Sequence, residues 1–234
     1  MFNVTKLTRG YRRRCEDRVD VVEHPMGVVL VLADGAGGSG GGAEAADSML
    51  SWARAHVTRV DDIRDPGQWA GLLAKVDQQV SFANGETTGV VVAAWDGGVS
   101  GASVGDSAAW MIREDGFDNL TADQVHKPLL GTGRARPVAF ERPGVSRETV
   151  LLASDGLVKY APPGRICEVA RRADLSAAAA GLVELVRLRS GEFQDDVAVV
   201  LCRRRQMSDA AAPAPGRRRY TLGDDGELRE EEVG

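Results

Sequence analysis

Apolar residues fall along this chain in short blocks, each cut off by polar or glycine-rich stretches. The sharpest break follows Val28–Ala33, an unbroken apolar and largely β-branched run that ends at Asp34. The run is too short for a membrane span and has the composition of a buried strand. Gly35, Gly37, Gly38 and Gly40–Gly42 follow Asp34, and Ala43–Val57 then has helical character. The unit is a strand, an Asp-Gly step, a glycine loop and a helix. Glycine lets the backbone turn sharply there and leaves carbonyls and amides uncovered for a ligand. A phosphate-cradling loop is one alternative, but no Gly-Lys-Ser/Thr closes this one and Asp34 would repel the anion. A plain turn with a capping aspartate is the other alternative.

The remaining blocks predict the rest of the fold. Phe2–Thr8, Val19–Glu23 and Gly27–Ala33 read as strands, the last two joined by a turn at His24-Pro25. Pro66 opens a second helix reaching about Ala83, with Trp69, Leu72, Leu73, Val76 and Val80 as its apolar face. Thr87–Trp95 is strand-like, Asp96-Gly97-Gly98 signals a hairpin, and Val99–Ile112 reads as one strand containing Gly105-Asp106-Ser107. Leu120–Ser146, polar and rich in Pro and Gly, reads as a surface excursion. Thr149–Ala153 is a strand running into Ser154-Asp155-Gly156. Arg165–Ala173 and Leu175–Arg189 are helical, and Asp195-Asp196 open a last strand, Val197–Cys202. Two helices in succession followed by strands argue against simple βαβ alternation.

At 234 residues the chain has room for one fairly large domain. We expect it to span residues 1–205. Residues 206–234 are an Ala/Pro, then basic, then acidic stretch expected to form a mobile tail, in which Thr221 follows a basic run and is a candidate kinase target. The net charge of -5 excludes a nucleic-acid binder that works by neutralising phosphates. Cys15, Cys167 and Cys202 form neither a disulfide framework nor a zinc pattern. The N-terminal residues lack an apolar signal region, so the expected address is the cytoplasm, with no membrane partner. His24, His56 and His126 are isolated and read as surface or structural.

Four aspartate sites share one setting. Asp34 and Asp155 end apolar strands and precede glycine, while Asp17 and Asp195 stand just before strands. In an antiparallel sheet strand ends and strand starts meet on one edge, so the four carboxylates can converge. Such a cluster cannot all ionise cheaply without a divalent cation. All-oxygen ligands favour Mg²⁺ or Mn²⁺ over Zn²⁺. Two such ions can hold a hydroxide nucleophile and neutralise a phosphate in flight.

Arg12, Glu16-Asp17-Arg18, Leu32–Gly38, Thr87-Thr88-Gly89, Val104–Ser107, Leu152–Leu157 and Asp195–Val200 appear in that order. Together, across Phe2–Arg203, they resemble the type-2C metal-dependent serine/threonine protein phosphatases in their compact bacterial form. The resemblance implies an α+β, four-layer α-β-β-α sandwich: two antiparallel β-sheets packed face to face with helices outside. It also implies hydrolysis of phosphoserine and phosphothreonine in proteins by a metal-bridged hydroxide, opposed by a protein kinase. By position, Asp34 would bridge two Mn²⁺ or Mg²⁺ ions, the Gly35 carbonyl would bind one, and Asp155 and Asp195 would complete the other. Glu16 or Asp17 would act directly or through water, and Arg12 would clamp the substrate phosphate. Ala36 stands where some relatives carry a histidine proposed as general acid, leaving protonation of the leaving group to water. Asp106 matches a third-metal residue, but Lys159 occupies the place of its partner carboxylate and disfavours a third ion. Lys159 and the short segment between Asp115 and Thr149 motivate an alternative, a pseudophosphatase that binds a partner. The intact Asp34, Asp155 and Asp195 argue against it.

Overall fold

The computed structural model describes residues 1–11, 15–36, 40–80, 85–144 and 147–205, and the backbone of 219–222 and 228–231. The chain divides into two compact units, Met1–Arg204 and Arg205–Gly234. In the first, one antiparallel sheet has the order β1 (Phe2–Arg9), β10 (Val197–Arg204), β9 (Thr149–Ala153), β6 (Ala108–Ile112) and β7 (Phe117–Asn119). The other runs β2 (Arg18–His24), β3 (Gly27–Ala33), β4 (Gly89–Trp95), β5 (Gly98–Val104) and β8 (Val138–Pro143).

Why the strands are apolar throughout follows from where their two faces go. Val28, Leu30 and Leu32 of β3 pack with Val150 and Leu152 of β9 and Ala198 and Val200 of β10 in a core between the sheets. Their neighbours Val29, Val31 and Ala33 point the other way, into a core with α1 (Gly42–Val57) and α2 (Pro66–Val80). Leu151, Ala153, Val197, Val199 and Leu201 likewise face α3 (Asp155–Val158), α4 (Pro163–Ala170) and α5 (Leu175–Glu184). A strand covered on both faces loses the apolar-polar alternation of a half-exposed one. Each fully buried Val or Leu contributes about 1.5–3 kcal/mol. The result is a four-layer α-β-β-α sandwich, as the motif resemblance implied. The five residues read as the apolar face of α2 are all buried, and the Trp69 indole donates to Ser100 Oγ at 2.8 Å.

Three expectations are corrected. Val99–Ile112 is not one strand: β5 lies in one sheet and β6 in the other. The chain crosses at Gly105–Ser107, where Gly105 has φ +106° and a Cβ would lie 2.6 Å from Thr88 Cγ2. Nor is Leu120–Ser146 wholly a surface excursion. Leu120, Leu129, Leu130 and Phe140 are buried, and β8 pairs with β5. Polar composition hid these scattered apolar anchors. Helix α5 is also shorter than the expected Leu175–Arg189.

In the second unit β11 (Arg219–Leu222) and β12 (Leu228–Glu231) pair antiparallel, which its charged composition did not suggest. Thr221 lies in β11. The Ala/Pro part of the expected tail lies outside the described residues. Among the described residues no helix is long and apolar enough to cross a membrane.

Candidate metal centre

The acidic residues reach one place by two routes. Arg18 pairs with Ala33 in the β2–β3 register, so Asp17 and Asp34 stand at the same end of neighbouring strands. Ala153 pairs with Val199 in the β9–β10 register, which brings Asp155 and the Asp195-Asp196 step together in the same way on the opposite sheet. Asp106 sits where the chain crosses between the sheets. Carboxylate oxygens of Asp34, Asp106 and Asp155 all lie within 4.8 Å of one another.

Hydrogen bonds from neighbouring side chains and backbone hold the segments that carry these acids in place. Thr88 Oγ1 accepts from the Asp34 N–H at 3.0 Å, and Thr87 Oγ1 donates to the Asp34 carbonyl at 2.9 Å. Thr88 Oγ1 also shares a 2.8 Å hydrogen bond with Ser107 Oγ, linking the Asp34 strand end to the Asp106 crossing. Arg18 donates to the carbonyls of Cys15 and Asp17 at 2.7 and 3.0 Å, and its Nε donates to Asp47 of α1 at 2.6 Å. Ser154 Oγ accepts from the Ala198 N–H at 2.9 Å, locking β9 to β10 beside Asp155. A Cβ on Gly35 would lie 2.4 Å from the Gly42 carbonyl oxygen, so only glycine lets the α1 entry close on the site. Asp196 accepts from the backbone N–H groups of Tyr11 at 2.7 Å and Glu16 at 2.5 Å. It therefore fixes both ends of the segment that carries Arg12.

The electrostatics are those of a site built for positive charge. Asp17 is 2% exposed, and neither carboxylate oxygen has a hydrogen-bond partner. Burial, then the charges of Asp196 and Asp155, push its pKa up to about 7; Ser154 and Asp34 stand close enough to offset part of this without reaching hydrogen-bond geometry. Burial, followed by Asp17, Asp155 and Asp106, holds Asp34 well above the ordinary carboxylate range. Asp155 is raised by burial and by Asp106 and Asp195, and the Lys159 ammonium, 4.0 Å from Asp155 Oδ2, offsets part of that rise. Leaving buried carboxylate oxygens without partners is costly. A hard cation with oxygen ligands removes that cost, so the residues present fit a divalent metal.

Of the residues singled out in the sequence, Asp34, Asp106 and Asp155 form the close trio and Asp17 stands against it. Asp195 is within electrostatic reach of Asp155 but is not one of the trio. Glu16 is tied through its backbone to Asp196. Arg12 lies outside the described residues. Sequence reasoning assigned no role to Thr87, Thr88, Ser107 or Asp196. The polar Thr pair directly before the apolar β4, and a second acid beside Asp195, were the available signals.

A cluster of aspartates from both sheets thus lies at one end of an α-β-β-α sandwich. The family model of stage II sporulation protein E (SpoIIE) matches residues 24–205, and the chain belongs to that type-2C-like family. No curated protein sequence matches it. Among solved structures it is similar to the serine/threonine phosphatase Stp1 from Staphylococcus aureus (19% identity, 88% of this chain and 96% of that one, TM-score 0.79). It is also similar to a bacterial serine phosphatase (20%, 86% and 97%, TM-score 0.77). A third is the catalytic domain of the serine threonine protein phosphatase PstP in complex with two manganese ions (20%, 86% and 97%, TM-score 0.73). At these identities the likeness speaks for the fold.

Proposed function

We propose that this chain hydrolyses phosphoserine and phosphothreonine in proteins with the help of two divalent cations, Mn²⁺ or Mg²⁺. The observation that carries the reading is the meeting of Asp34, Asp106 and Asp155 from both sheets within 4.8 Å, beside a buried and unpartnered Asp17. The similar PstP domain, with its two manganese ions, supports the choice of cofactor. Asp34, the Gly35 carbonyl, Asp155 and Asp195 would hold the two ions, with Asp17 and Glu16 contributing directly or through water. Asp106 would serve a third ion, which the ammonium of Lys159, 4.0 Å from Asp155, disfavours. When bound, the ions supply Lewis-acid activation of water and neutralise charge on the phosphoryl group.

The chain's own residues do the rest. Arg12 binds the phosphate as a two-pronged donor, and Asp196 holds the backbone N–H groups of Tyr11 and Glu16 on either side of it. Thr87 and Thr88 keep Asp34 from turning away. Ala36 has no proton to give, so solvent protonates the departing serine or threonine. The partners are a phosphoprotein and the kinase that phosphorylates it.

The test is hydrolysis of a phosphothreonine peptide with Mn²⁺, with EDTA and in Asp34→Asn. Turnover that needs metal and vanishes in the variant is expected. No turnover with any divalent cation, in a folded protein, overturns the reading and favours a partner-binding module.

A further inference from the structure

The segment of residues 124–138, running from beyond β7 into β8, is anchored at three points, two of them beside the acidic residues. At its start the Val125 carbonyl accepts from the Gly105 N–H at 2.9 Å, and Gln124 Nε2 donates to the Ser107 carbonyl at 2.9 Å. It then runs past Thr87, with which Leu130 exchanges two backbone hydrogen bonds of 3.0 Å. Thr87 is the residue that holds the Asp34 carbonyl. Next it wraps the end of α2, where the N–H groups of Gly131, Gly133 and Ala135 donate to the buried Asp77 carboxylate at 2.8, 3.0 and 2.9 Å. It rejoins the sheet where Val138 pairs with Ser103. The backbone is thus fixed along its length, and residues 124–130 are bonded directly to the neighbours of Asp106 and to the residue that holds Asp34.

Its charge is one-sided. Between Asp123 and Glu141 there is no acidic residue, but there are Lys127, Arg134 and Arg136, in a chain whose net charge is -5. All three are exposed, and no described carboxylate pairs with any of them. Unpaired cations on a fixed backbone do not stabilise the fold; they offer a field to something outside it. Lys127 follows two residues after Val125, whose carbonyl accepts from the Gly105 N–H next to Asp106, so this positive charge enters the segment close to the carboxylates.

We propose that residues 124–138 receive acidic residues flanking the phosphorylated side chain of a protein substrate, through Lys127, Arg134 and Arg136. This rests on the phosphatase reading and names the substrate class. Because the segment is already anchored, contact with it costs little ordering, and the preference falls in KM.

The experiment compares two phosphothreonine peptides, one flanked by Glu and Asp and one by Ala and Gln. They are assayed with Mn²⁺ on the full chain and on the triple variant Lys127→Glu, Arg134→Glu, Arg136→Glu, each shown to be folded by thermal melting. Three exposed pairs correspond to about a tenfold preference for the acidic peptide in kcat/KM. The ratio between the two peptides should collapse to unity or below in the variant. An equal ratio in the unmodified chain, or a preference that persists in the folded variant, overturns the proposal. If neither peptide is hydrolysed the phosphatase reading has failed, and fluorescence anisotropy of the labelled acidic peptide decides. Binding lost in the variant upholds the surface, and equal binding refutes it.

Discussion

Asp17 stands just before β2 and Asp20 lies three residues on, within it, and both are almost fully buried. Their surroundings are opposite. Asp20 accepts from Lys6 Nζ at 3.2 Å and from Arg54 Nε and Nη2 at 2.9 and 2.6 Å, which ties β1, β2 and α1 together. Burial works against its charge, but the Val21 N–H, Arg54 and Lys6 outweigh that and hold its pKa below the ordinary value. Asp77, also buried, is met by three backbone N–H groups. Asp17 has none of this and is pushed up to about 7. A buried carboxylate that meets its partners within the chain is structural. One that finds no hydrogen-bond donor, like Asp17, carries an electrostatic cost that a cation would remove.

The contrast can be broken most severely at Asp34. Asp34→Asn should lower turnover of a phosphothreonine peptide by about a thousandfold or more, since the charge at the middle of the centre is lost. Kinetics with Mn²⁺ measure this directly. Next come two isosteric changes whose effects on metal-free stability should have opposite signs. Asp17→Asn should raise the melting temperature and Asp20→Asn should lower it, each by about 2 kcal/mol or roughly 4–8 °C. Equal signs in calorimetry would end the comparison. Asp196→Ala frees the Tyr11 and Glu16 N–H groups, and KM should rise about tenfold while Mn²⁺ binding persists. Unchanged KM would mean that the anchoring of this segment does not matter.

The smallest effect is in pH. Asp17 has a folded value of about 7, above its ordinary 3.8, so ionising it disfavours the folded state. Its contribution is fully favourable at low pH and is lost as pH rises through the folded value. From pH 6 to pH 8 the metal-free protein should therefore lose about 1 kcal/mol, or roughly 2–4 °C in melting temperature. Saturating Mn²⁺ should remove that slope. A flat or rising melting curve in EDTA would contradict the assignment.

Much of this was legible from residue order. The apolar runs ending at Asp34 and Asp155 mark strands covered on both faces, and antiparallel pairing brings Asp17 and Asp195 to the same ends. What escaped depends on partners distant in sequence. Val99–Ile112 reads as continuous because neither half carries a mark of its sheet, and only the Gly105 turn separates them. The Leu120–Ser146 stretch looks like a loop because its anchors are backbone groups, paired with Thr87 and Asp77 from other elements. Thr88 and Asp196 have ordinary local contexts, and their work shows only in what they touch.

The most direct measurement is calorimetric titration of Mn²⁺ into the metal-free chain and into Asp34→Asn, both verified as folded. The expected result is two ions bound per unmodified chain, with proton release as Asp17 and Asp34 ionise, and no comparable binding in the variant. A folded, unmodified chain that takes up no Mn²⁺, or a variant that binds it equally well, would contradict the claim that these buried aspartates form a metal centre.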